Sequence, residues 1–188
     1  VATLASGLGI WARAVFDGLL RPSNVDEGDL LTQGGELRTQ LLDLIPRTAG
    51  TLAEPWPQQD PRLVSAAVEA AQRMHLFLTA LAFHASQLHD HAKPGLPVGS
   101  AAEHVVITLG RSAAALGLPP TEPWVPPGVA SAVTPAARSA AAHRVGESPM
   151  TAEDIAVLAQ TTHVAQAADD FLAAVTDLEV PSATAKPG

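Results

Sequence analysis

The chain contains no cysteine and no tyrosine, and aromatic residues make up only 4% of its 188 positions. Without cysteine there is no disulfide framework, thiolate metal site, iron–sulfur cluster or cysteine nucleophile to build. Positive charge is scarce as well: 11 Lys and Arg face 19 Asp and Glu, for a net charge of −8. A nucleic-acid footprint is basic, so this balance argues against DNA or RNA as a partner. Lys93 and Lys186 are the only lysines, a bias expected of a GC-rich, bacterial coding sequence.

Long apolar runs are missing too. The uncharged opening from Val1 to Ala12 meets Arg13 and Asp17, well short of the roughly 20 residues a membrane span needs. No basic stretch precedes it, so it does not read as a secretory signal. The expected location is the cytoplasm. A first residue of Val fits a processed chain, a piece of a longer one, or a GTG start codon.

What is present is alanine, within a 47% hydrophobic content, and 16 prolines and 14 glycines that divide the chain into helical stretches. Residues 2–20 place Leu4, Leu8, Trp11, Val15 and Leu19 on one face at steps of three and four. A second helix is expected from about Asp26 to Ala53, opened by Asp26, Glu27 and Asp29 and using Leu30, Leu37, Leu41, Leu44 and Ile45. Gly34-Gly35 weakens its middle, and Pro46 should kink it or end it near Ile45. The third stretch is the most regular. Asp60-Pro61 provides an N-cap and a first-turn proline, and Val64, Ala67, Ala71, Met74, Leu78, Leu81, Ala85 and Leu88 form a heptad seam.

Ser100 with Glu103 has the spacing of a capping box ahead of a fourth helix through Val105, Ile107, Leu109 and Leu116. The proline-rich stretch 118–128 reads as an extended connection. Thr134-Pro135 opens an alanine-rich fifth helix. Thr151 and Asp154 open a last one, buried along Val157, Leu158, Val164, Ala168, Phe171, Leu172, Val175 and Leu178. Strand signals are nearly absent. The expected fold class is all-α, an antiparallel bundle of five to six helices with proline-rich connections. It forms one domain over 1–180, followed by a loose tail over 181–188.

A weak internal repeat is visible. Arg47–Ala53 resembles Arg111–Gly117, and each is followed shortly by Glu-Pro-Trp, at 54–56 and 122–124. The reading is two related helix–linker–helix units, against coincidence in an alanine-rich chain.

The chemistry-bearing residues assemble no recognisable centre. Zinc ligands on one helix face sit at i and i+4, as in His-Glu-x-x-His. His75, His84, His89 and His91 are separated by nine, five and two residues. His75 and His89 lie about 21 Å apart along a helix and His84 and His91 about 10 Å. No cofactor and no metal is expected, and polar contacts at helix interfaces are the expected use of these rings. Gly7-x-Gly9-x-x-Ala12 matches a loose dinucleotide fingerprint but lacks the βαβ unit that makes one work. Asp43 can face water. Asp169 and Asp170 fall inside the last helix, with Asp169 close to its buried stripe, where a partly buried carboxylate either serves as an acid or base or pairs with an arginine such as Arg73, Arg111 or Arg138. No catalytic residue is named.

Trp56 and Trp124, each between prolines in a connection, are the most unusual features. Such a tryptophan either folds back over the helix core or anchors a partner. Together with His84 and His91 they are the candidate partner-binding residues.

The texture of alanine-rich amphipathic helices with proline breaks is carried by Asp60-Pro61-Arg62-Leu63 opening a long helix and Gly110–Leu118 ending another. It resembles the soluble cytoplasmic portions of fusaric-acid-resistance and aromatic-acid exporter permeases. That resemblance implies an accessory domain of a membrane exporter. The residues themselves favour a non-enzymatic bundle acting through a protein partner or self-association, as a homo-oligomer or assembly subunit. A metal-binding or enzymatic bundle drawing histidines from several helices is a further alternative, and a small-molecule ligand is left open.

Overall fold

The computed structural model describes residues 1–21, 26–51, 61–88, 98–119, 124 and 151–179. These form five helices: α1 (Ala2–Leu20), α2 (Glu27–Thr51), α3 (Pro61–Leu88), α4 (Gly99–Ala115) and α5 (Ala152–Glu179). No strand occurs among the described residues, and the fold is an all-α bundle. The helix expected after Thr134, the Asp60 cap, most of the 118–128 connection and the tail lie outside them.

Four helices form a ring in which α1 packs on α3, α3 on α5, α5 on α4 and α4 on α1. The fifth, α2, packs mainly against α1 and α3 among the described residues. The ring encloses the expected stripes. Leu4, Leu8, Trp11, Val15 and Leu19 of α1 meet Ala67, Ala71, Met74, Leu78 and Leu81 of α3, with Val157, Val164, Phe171 and Val175 from α5. Burying each large side chain contributes about 1.5–3 kcal/mol.

Directions follow from pairs of contacts. Gly7 approaches Leu37 and Gly34 approaches Trp11, so α1 and α2 run antiparallel. Arg73 reaches Asp170 while Phe77 stacks on His163, so α3 and α5 do too. For α2 and α3 the His75–Gly34 contact sets the level. Were they parallel, Pro61 would lie about 46 Å along the axis from Thr51. The ten intervening chain steps reach about 36 Å at most. The pair is therefore antiparallel.

Helix ends are closed by local chemistry. The Asp26 carboxylate accepts the Gly28 and Asp29 amides at 2.8 and 3.4 Å, capping α2. Thr151 and Asp154 form a reciprocal box: the Thr151 amide donates to Asp154 at 2.8 Å, and the Asp154 amide donates to Thr151 Oγ1 at 3.2 Å. After α4, Gly117 adopts a φ of 77°, and the Leu118 and Gly117 amides return to Ala113 and Ala114 in a Schellman arrangement.

Of the two outcomes expected at Pro46, a kink or an end near Ile45, the end does not occur, and the start expected for α4 is corrected. Helix α2 runs through Pro46 to Thr51. Pro46 removes one donor on the exposed face, so water can satisfy the carbonyl of Leu42. Helix α4 begins at Gly99 with Val98 as its N-cap and no side-chain cap. Val98 is fully buried, so an apolar anchor replaces the Ser100–Glu103 box. Two expected core residues also face outward, Ile45 and Ile107; the neighbouring helices cover the adjacent flank instead.

The two glycines of α2 differ. A Cβ on Gly34 would sit 2.7 Å from Cζ2 of Trp11, whereas one on Gly35 meets nothing within 4 Å. Gly34→Ala is expected to destabilise the fold by about 1–3 kcal/mol, and Gly35→Ala to stabilise it by about 0.5–1 kcal/mol. Urea unfolding of the two variants measures both signs.

Candidate functional site

The most constrained polar cluster joins three helices. Trp11 is buried, and its indole N–H donates to the carbonyl of Leu30 at 3.0 Å. The His75 ring stacks on Trp11, with centroids 5.1 Å apart at 30°, and its Nε2 lies 2.8 Å from the carbonyl of Gly34. A carbonyl only accepts, so Nε2 carries a proton. Both rings thus bind the backbone of α2 where Gly34 supplies no side chain. This is a packing junction of three helices, with one ring donor from each aromatic side chain bound to the α2 backbone.

Two further histidines join neighbouring helices. His104 pairs with Asp169 at 2.9 Å, linking α4 to α5, and His163 stacks on Phe77 at 5.3 Å. Arg73 pairs with Asp170 at 3.3 Å. Adjacent carboxylates of α5 therefore reach opposite neighbours. Both pairs are solvent-exposed, each contributing at most about 1 kcal/mol. No group of three metal-ligating side chains comes together among the described residues.

Of the four candidate partner-binding residues, Trp56 and His91 lie outside the described residues. His84 is half-buried on α3, edge-on to Phe83, and its shielded Nδ1 has no hydrogen-bond partner among the described residues. Trp124 is half-buried against the core, and its side chain hydrogen-bonds Asp17 near the end of α1. The structure does not bring His84 and Trp124 together: one lies on α3, the other at α1.

The glycines of the dinucleotide-like stretch sit inside α1 and serve packing. Gly7 admits Leu37, and Gly9 lies against Leu109. Between α1 and α4, Ala5, Gly9, Ile10, Arg13, Gly110 and Ala113 line a shallow groove of about 20 Å³, the space of one or two water molecules.

The surface holds what sequence reasoning missed. Leu31, Leu42 and Ile45 of α2 and Leu76 and Phe83 of α3 are 40–64% exposed. At 100° per residue the α2 trio falls within about 60° of arc, and the α3 pair within about 20°. On α2, the turn from Leu37, which meets α1, through Gly34, which meets α3, continues to this seam. On α3, the turn from the core through His75 continues to Phe83 and Leu76. Both sets therefore emerge on the same outer side. The antiparallel register places Leu31 between the levels of Leu76 and Phe83, with Leu42 and Ile45 about 16–21 Å further along. A signal was present: Leu31-Gly35-Arg38-Leu42-Ile45 keeps steps of four and three, a second seam beside the buried one.

Comparison with protein-family models, curated proteins and solved structures finds no match.

Asp17 supplies a pH-linked test. Burial raises its pKa, opposed by the Trp124 hydrogen bond and the charges of Arg21 and Arg13. A carboxyl whose folded pKa is raised contributes stability fully present below its unfolded value, near 3.8, and lost as pH rises through the folded one. Asp17→Asn should therefore gain on the wild type between about pH 3 and pH 7, read by urea unfolding at both. Trp124→Phe removes the donor and should raise the Asp17 pKa further, read by carboxyl NMR titration.

Proposed function

We propose that the protein catalyses no reaction and works through protein–protein contact in the cytoplasm, as a homo-oligomer or a subunit of an assembly. The observation that carries this reading is the exposed apolar side of α2 and α3. An exposed apolar face of this kind on a folded domain marks an interaction surface more often than chance exposure. Scattered single apolar residues need no explanation, and Ile10, Ile107 and Ile155 are of that sort. The five on α2 and α3 differ in sharing one side and in keeping helical register.

The chemistry of the patch suits a helical partner. Leucine, isoleucine and phenylalanine at steps of three, seven and eleven present knobs to a facing helix. Arg38, at the middle of the α2 seam, is its one charged side chain, and its long stem lets the guanidinium reach out to water while the apolar residues on either side are covered.

Leu31→Gln, Leu42→Gln and Phe83→Gln combined should leave helicity unchanged and stability within about 0.5 kcal/mol per site, yet abolish association. Light scattering and affinity capture, with circular dichroism as the folding control, check this. A wild type that is monomeric and retains no partner would overturn the interaction reading.

A further inference from the structure

We infer that the occupant of the α2/α3 outer side is a second copy of this chain, with α2 packed antiparallel against its mate across a two-fold axis passing between Arg38 and Thr39. The inference rests on the interaction reading above and names its partner.

The arrangement of the five side chains carries it. Leu31, Leu76 and Phe83 cluster at one end of the seam, and Leu42 and Ile45 lie at the other, with Gly35 and Arg38 between. A two-fold axis perpendicular to α2 exchanges the ends. Leu42 and Ile45 of one copy then fall on the Leu31–Leu76–Phe83 cluster of the other, twice. Leu42 comes opposite the partner's Gly35, where a Cβ would have nothing within 4 Å. Large thus meets small.

A parallel pairing is worse on two counts. It sets Gly35 against Gly35, leaving an unfilled gap whose lining loses its contacts. It also points the two Arg38 side chains the same way at the same level. Helical side chains lean toward the N-terminus, so in the antiparallel pair the two guanidinium groups diverge.

The area agrees with a real but modest interface. Five side chains each expose on the order of 100 Å², so a two-fold contact covering all of them removes about 1,000 Å² from water, the threshold for a specific association. Each copy carries a net charge of −8, so the pair assembles against repulsion. Added salt screens that repulsion, and dimerisation should strengthen with ionic strength. A contact driven by opposite charges would weaken instead.

The absence of cysteine makes the test clean. Arg38→Cys and Leu31→Cys variants are treated with a short thiol cross-linker after sedimentation has measured their mass. In the Arg38→Cys variant the two introduced thiols flank the axis and should link efficiently. In the Leu31→Cys variant they lie about 22 Å apart and should not. Equal linking of Leu31→Cys would show a parallel pair and overturn the geometry. A wild type that stays monomeric at about 200 µM, well above the micromolar range of weak specific complexes, would overturn self-pairing. If capture of another protein by that monomer is still lost in the Leu31, Leu42 and Phe83 glutamine variant, the interaction reading survives the failure of self-pairing.

Discussion

The structure turns on the place where two aromatic rings bind the backbone of α2. Trp11 and His75 come from different helices and donate to carbonyls one turn apart, at Leu30 and Gly34. Only a residue without a Cβ lets the indole lie this close. Each buried hydrogen bond contributes about 1 kcal/mol net. Their larger effect is directional, because they fix the rotation of α2 about its own axis. That rotation sends Leu30, Leu37 and Leu41 inward and leaves Leu31, Leu42 and Ile45 to solvent.

A helix fixed from one side is also a helix presented on the other. Among the described residues helix α2 packs mainly against α1 and α3, so much of its outward side is exposed, and its antiparallel register with α3 lines up two apolar sets along one outer face. Polar links elsewhere hold the ring closed. Asp169 and Asp170 reach α4 and α3, Gln160 donates to the Phe77 carbonyl at 3.3 Å, and His163 stacks on Phe77.

Periodicity made the ring helices legible. The seam from Ala67 to Ala85 on α3 is buried throughout, and α1 spans the residues its spacing marks. Spacing alone does not reveal which flank of a helix a neighbour covers, so Ile45 and Ile107 read as core although they face water. Propensity leaves open whether Pro46 ends α2, and the helix continues past it because losing one donor on a solvated face is cheap. The Ser100–Glu103 pair had the right spacing but gave way to Val98, whose burial fixes where α4 starts. Gly34 read as a weakness, since its use depends on a ring 23 positions earlier in the chain. The outer seam was legible in principle: two heptad-like series overlap in α2, and only packing decides which is buried.

The clasp at Gly34 is the premise from which the exposed face follows, and the Trp11 indole proton reports on it directly. Its exchange with deuterium, followed by NMR in the folded protein, should be as slow as the core amides of α3 around Leu78, because opening it requires separating three helices. An indole proton exchanging with the fast class of surface amides would contradict the account, since α2 would then not be held in the orientation that turns its second seam outward.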